Sequence, residues 1–265
     1  MSQNEISADN YRDSMQSLRK FDKTLKLVAS LLILILLAFI AYYAYSQYHL
    51  SKKSFESQAL TAAKEAVRKN PRNADMRVAL GVVYANEAQY KNAIEQYTLA
   101  LKLVKDHQEA LVYTGLAYLK QAQSDDALYY FDKEVKYYKD TRYARTNPLL
   151  EQAYYYGGIV LWEKKKYDKA LDYIDKAIEI KATNSDSFLL KGRVLLDKKD
   201  YDKAIESFNK ALEFDPKYID ALYGLALTYD KKGDKQEAIK RYGNVLKVDP
   251  NYGLAQEAIA RLKGK

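Results

Sequence analysis

The feature that most constrains this chain is a repeat 34 residues long. Ser185–Tyr218 carries Gly192 in its first half, Ala204, Phe208 and Ala211 in its second, and Pro216 near its end. Ile219–Tyr252 follows the same plan, with Ala226, Ala238, Tyr242, Val245 and Pro250 in the same places. Two helical patterns per unit at this period indicate a stacked all-α solenoid, because a single such unit cannot bury its apolar face alone. Five units fit the pattern: Ala74–His107, Gln108–Thr141, Glu151–Asn184, Ser185–Tyr218 and Ile219–Tyr252. The eighth place holds Gly81, Gly115, Gly158, Gly192 and Ala226. The twentieth holds Ala93, Ala127, Ala170, Ala204 and Ala238, and the twenty-fourth Tyr97, Phe131, Ile174, Phe208 and Tyr242.

On these residues the chain resembles the tetratricopeptide repeat (TPR) family. The resemblance implies a superhelical solenoid of helix-turn-helix units. Small residues at the eighth and twentieth places let the two antiparallel helices of a unit approach closely, and larger residues elsewhere fill the remaining space. A closing proline stops the second helix. Lys105, Lys139 and Ala182 replace that proline in the first three units, which softens their turns. Glu134 stands where a small residue belongs, and the second unit is therefore expected to pack imperfectly against its successor. Arg142–Leu150 is an insertion, since Gly115 and Gly158 lie 43 residues apart instead of 34. Within it Asn147-Pro148 forms an N-cap followed by proline at the first helical position, so the next helix should start early. Residues 253–265 supply a capping helix through Leu254, Ala258, Ile259 and Leu262.

Ahead of the repeats, Leu27–Tyr45 runs 19 residues without a charge. At about 1.5 Å per residue such a helix spans roughly the 30 Å hydrocarbon core of a bilayer. Tyr42, Tyr43, Tyr45 and Tyr48 gather at one end like an interfacial aromatic belt. A cleaved signal peptide is the competing reading. A long, partly acidic leader and the lack of a small-x-small cleavage site oppose it. The expectation is a single transmembrane helix over 27–45, after a polar tail over 1–26. Arg12, Arg19, Lys20, Lys23 and Lys26 precede the run, against Lys52, Lys53 and Lys64 beyond it. This bias places the N-terminus in the cytoplasm and the repeats outside a bacterial cytoplasmic membrane. Residues 46–73 join the run to the repeats. Ala59, Ala63, Ala66 and Pro71 give Ser51–Asn73 the look of half a repeat.

Little chemistry is offered. The chain has no cysteine, which excludes disulfides, thiolate metal sites and a cysteine nucleophile. His49 and His107 are the only histidines, lack ligand-spaced partners and read as surface residues. No phosphate loop, nucleophile elbow or zinc-protease motif occurs. The expectation is no enzyme activity, no cofactor, no metal and no small-molecule substrate. The net charge is +8, but acids and bases are mixed along the helices, so no nucleic-acid partner is expected.

What remains is a surface. The TPR resemblance implies a concave groove lined by the first helix of each unit. Its candidates here are Val78, Val82, Val112, Leu116, Tyr155, Ile159, Trp162, Leu189, Arg193, Tyr223 and Leu227. Val78, Val82 and Val112 fit packing between repeats better than exposure. Tyr155, Trp162 and Tyr223 are expected to be exposed anchors, and Tyr154 to be core. The carboxylate clamp that some family members use is missing, because the matching places are apolar. The expected function is a membrane-anchored protein-interaction scaffold holding a peptide segment or amphipathic helix of an envelope protein. A structural spacer or homo-oligomer core and a cytosol-facing organelle receptor are the alternatives.

Overall fold

A computed structural model describes residues 30–31, 33–48 and 58–264. The chain divides into two compact units, Met1–Thr61 and Ala62–Lys265. In the first, residues 30–31 and 33–48 are helical, and the large apolar side chains of this stretch are each at least 54% exposed. Among the described residues no helix is long and apolar enough to cross a membrane. The tail over 1–26, residues 27–29 and 32 of the apolar run, and residues 49–57 lie outside the described residues.

The second unit is built of helix pairs because its sequence alternates apolar stripes with turns every few residues. Its first helical residues, 62–69, are the part of a helix over 58–69 (α1) that falls in this unit, and they lead into α2 (Ala74–Asn86) and α3 (Tyr90–Leu103). Then follow α4 (Gln108–Lys120), α5 (Ser124–Tyr138), α6 (Pro148–Glu163) and α7 (Tyr167–Ile180). Next come α8 (Ser185–Asp197), α9 (Tyr201–Phe214), α10 (Ile219–Lys232), α11 (Lys235–Val248) and the terminal α12 (Gly253–Lys263). The even-numbered helices from α2 to α10 open each repeat, and the odd-numbered helices close it. Each opening helix touches the opening helix of the next repeat, whereas a closing helix meets the next repeat chiefly through its opening helix. The opening helices therefore line the inner, concave side.

Each pair closes on one contact. A Cβ built on Gly192 would lie 2.6 Å from a ring carbon of Phe208, and one on Gly115 would lie 2.6 Å from Phe131. Gly158 faces Ile174 in the same way at 2.9 Å, and Gly81 faces the ring of Tyr97. These partners stand sixteen residues after their glycines and are all buried. Phe208 is further pinned by Gly224 of the following repeat, again at 2.6 Å. In the last repeat Ala226 takes the glycine's place, and Tyr242 packs in the same cluster.

The turns are equally regular. The fifteenth residue of every repeat is left-handed: Ala88, Ala122, Lys165 and Lys199 at φ 56 to 65°, and Gly233 at φ 91°. Asn73, His107, Asn147 and Asn184 then cap the opening helices, their side chains accepting from backbone amides two or three residues on. His107 is thus a structural cap, with its Nε2 also 2.9 Å from Asp75 Oδ1, and not a bland surface residue. At the insertion a 3₁₀ turn over Ala144–Thr146 precedes Asn147, and α6 begins at Pro148, giving it 16 residues against 13 or 14 in the other opening helices. Lysines at the fourteenth place reach aspartates at the eighteenth place of the preceding repeat. Lys164 meets Asp125 at 2.6 Å, Lys198 meets Asp168, and Lys232 meets Asp202 at 2.5 Å. The aspartates are more than four-fifths exposed, so water screens these bridges, and they mark the stacking register more than they hold it. Glu134 does not loosen its repeat by protruding. It is completely buried, at the place where Ala100, Ala177, Ala211 and Val245 stand in the other units.

Two outcomes are expected. Gly192→Ala forces a methyl into the buried Phe208 ring and costs about 1–3 kcal/mol in urea unfolding. Ala122→Gly relieves a left-handed alanine and adds about 0.5–1 kcal/mol, while Gly233→Ala loses a similar amount. Equal and negligible effects in all three variants would contradict this account.

Candidate functional site

The concave face is built from α2, α4, α6, α8 and α10, and the closeness of the helix pairs decides which of its side chains stay accessible. Val78 is 3%, Val112 0% and Leu189 5% exposed. For Val112 and Leu189 this corrects the groove assignment. Val112 packs with Ala127, Phe131 and Ala153, and Leu189 with Phe208, Ala221 and Leu225. The fifth place of a repeat points at the first helix of the next one, so an aliphatic side chain there is sealed in the joint. Tyr154 is buried, as its place in the repeat implies.

Val82, Leu116, Tyr155, Ile159, Trp162, Arg193, Tyr223 and Leu227 are half-buried and reach the concave surface. Tyr155 stands edge-on to Tyr156 with ring centroids 5.2 Å apart. Burial, helped by the negative charge of Asp186, pushes its hydroxyl up to about 12, so it stays a neutral donor at any physiological pH. Trp162 is not a free anchor. Its Nε1–H donates to Asp197 Oδ2 at 2.7 Å, and its ring packs against the cluster around Leu161, Ala170 and Ile174. Tyr223 lies between Tyr242 and Tyr252, at 5.8 and 5.4 Å between centroids. Arg193, the one cation among the candidates, is held by Asp220 at 2.9 Å.

Acids occupy the second place of four repeats: Asp75, Glu109, Asp186 and Asp220. Each sits in the first turn of its helix, where the backbone amides favour negative charge. Three of them are engaged within the chain: Asp75 by His107, Asp186 by the Tyr218 hydroxyl at 2.5 Å, and Asp220 by Arg193. Burial and this hydrogen bond raise Tyr218 above the ordinary tyrosine range. The face is therefore a largely apolar, aromatic floor with a polar edge whose acids are mostly engaged. Such a face suits binding by shape and desolvation, and it has no unattached nucleophile–base pair. Among the described residues no three His, Cys, Asp or Glu side chains are placed to hold a metal ion.

An apolar cavity also lies away from the aromatic third repeat. A cavity of about 290 Å³ opens between α2 and α4, lined by Val82, Ala85, Asn86, Tyr90, Tyr97, Tyr113, Leu116, Ala117 and Lys120. Of these, only Val82 and Leu116 stand among the sequence candidates. The signal for Ala85 and Ala117 was small size, not bulk. Ala85 holds the twelfth place, where the third repeat carries Trp162, and the missing volume becomes a depression. Trp162→Ala is expected to cost about 2 kcal/mol of stability in urea unfolding, roughly half of a fully buried tryptophan. A loss below about 0.5 kcal/mol would return Trp162 to the role of a free anchor.

Comparison with known proteins follows this geometry. A family model described as "Tetratricopeptide repeat" matches residues 57–104 and 84–140, and one described as "Tetratricopeptide repeat protein 21 N-terminal ARM repeat" matches residues 137–256. Comparison with curated protein sequences returns no match. Among solved structures, YrrB, described as "a TPR protein with an unusual peptide-binding site", is similar with a TM-score of 0.65 at 22% identity. That likeness covers 76% of this chain and 98% of YrrB. MamA is similar at a TM-score of 0.60 and 24% identity, over 68% of this chain and 93% of MamA. The pilF protein of Pseudomonas aeruginosa is similar at 0.65 and 20% identity, over 79% and 91%. At these identities the likeness speaks for the fold. Repeat length, helix pairing, family models and structural likeness agree that residues 74–252 of this chain form a tetratricopeptide-repeat solenoid.

Proposed function

We propose that this protein is a membrane-anchored scaffold whose concave face holds a segment of another protein. The observation that carries the reading is the set of partly exposed apolar and aromatic side chains on that face. It includes the cavity between α2 and α4 and, further along, Tyr155, Ile159, Tyr223 and Leu227. A cavity of about 290 Å³ accepts one or two large apolar side chains, and the shallow floor beyond it accepts an amphipathic helix or an extended segment. YrrB, whose description names a peptide-binding site, supports the same class of ligand by analogy of fold. The anchor rests on the uncharged run Leu27–Tyr45, and the orientation on the five cations that precede it against three beyond it. In this reading the repeats stand outside a bacterial cytoplasmic membrane.

A photo-crosslinking residue at Leu116, activated in native membranes, is expected to give adducts with a different protein. Leu116→Glu, which puts a charge into the cavity, should reduce partner capture at least tenfold without a change in unfolding midpoint. Adducts only between copies of the chain would overturn the scaffold reading and make the groove a homo-oligomer contact. The anchor is checked separately. The full chain should remain in the pellet after alkaline carbonate washing, and protease outside spheroplasts should digest the repeats. Protection of the repeats would reverse the orientation and favour a cytosol-facing receptor.

A further inference from the structure

The joint between the second and third repeats differs from the others in one buried group. At the twenty-seventh place the other repeats carry Ala100, Ala177, Ala211 and Val245, all sealed in the core. Here the place is taken by Glu134, whose side chain is completely buried in α5. Its Oε1 accepts from Gln108 Nε2 at 3.0 Å, while its Oε2 has no hydrogen-bond partner. No cation forms an ion pair with it among the described residues, so an ionised carboxylate would stand in the joint with one neutral donor. Such a charge is strongly disfavoured, and a protonated carboxyl is the form the site can hold.

We propose that Glu134 makes this joint a pH-sensitive hinge, closed when the carboxyl is protonated and loosened when it ionises. The titratable groups around it have to be told apart from it. On its own helix the Tyr138 hydroxyl interacts with it, and burial holds that hydroxyl above its ordinary range. From α4 it meets Gln108, which does not titrate. Glu151 of α6, the other buried carboxyl nearby in sequence, accepts from Asn184 Nδ2 at 2.9 Å, but burial raises it too, and the Glu134 variants are what separate the two. The insertion brings Arg142 and Arg145, both exposed. His107 precedes Gln108 and is bound to Asp75 and the Ala110 amide, so it too needs a control.

Burial pushes the Glu134 carboxyl up to about 7, only partly offset by the Gln108 hydrogen bond. The folded joint then binds the proton more tightly than the opened chain does. Its stability is full at acidic pH, falls as pH rises from the ordinary carboxylate value towards 7, and stays low above that. The cavity between α2 and α4 lies on one side of the hinge, and Tyr155, Tyr223 and Leu227 on the other. Under the scaffold reading given above, the hinge would decide whether one segment can touch both. The hinge itself does not rest on that reading and is tested without a partner.

The test is hydrogen exchange on the full chain in detergent micelles, corrected for intrinsic exchange, between pH 6 and 8.5. Amides of α5 and α6 are expected to lose roughly tenfold in protection across this range, while those of α8 to α11 hold theirs. Glu134→Gln and Glu134→Ala should both flatten the pH dependence, the alanine variant reproducing the residue found at Ala100, Ala177 and Ala211. His107→Asn, which restores the cap residue used at Asn73 and Asn184, should leave it in place. The hinge is overturned if Glu134→Gln keeps the wild-type dependence, if the dependence disappears in His107→Asn, or if the wild type shows none.

Discussion

Two helices can pack at their closest approach only where one of them offers no side chain. In this solenoid the eighth residue of four repeats is a glycine, and the space of its absent Cβ is filled by the side chain sixteen residues later. The ring of Phe208 meets two such glycines, Gly192 in its own repeat and Gly224 in the next, and so carries packing across the boundary as well as within the pair. Because core packing is dense, the position of each ring sets the crossing of its helices and thereby the surface of the following repeat. The regularity of the left-handed turn residues and of the lysine–aspartate bridges follows from that common geometry.

The concave face inherits what this packing leaves over. Where the fifth place is aliphatic, as at Val112 and Leu189, the side chain is drawn into the joint. Where it is a tyrosine, as at Tyr155 and Tyr223, the ring is too long to be enclosed and part of it stays on the surface. Three of the four acids along the same edge are engaged within the chain, by His107 on Asp75, Tyr218 on Asp186 and Arg193 on Asp220. A partner therefore need not break a strong ionic network to dock, and what it can gain is desolvation of apolar and aromatic area.

One repeat boundary is made differently. The second and third repeats are joined through an insertion, an opening helix that starts early at Pro148, and a buried carboxylic acid in a place that otherwise holds alanine or valine. A solenoid's stability is carried by contacts between neighbours, so a weak boundary is felt locally. Glu134 concentrates that weakness at the one joint where the chain also departs from its period.

The sequence by itself determined the helical solenoid, because a 34-residue period with glycine or alanine at the eighth place and a large residue at the twenty-fourth admits few other packings. It also announced the early start of α6, since Asn147 followed by proline is a local instruction that needs no tertiary contact. The site was less legible. Periodicity located the concave face and its tyrosines, but exposure depends on neighbours from other repeats that no local pattern names. Only the tertiary structure decided that Leu189 is sealed by Phe208 and Leu225, that Trp162 is bound to Asp197, and that an apolar cavity forms around the small side chains of Ala85 and Ala117. The same holds for Glu134. As a letter it was a glutamate in the wrong place, and whether it would swing into solvent or be buried with one oxygen unpartnered was settled by the packing around α5.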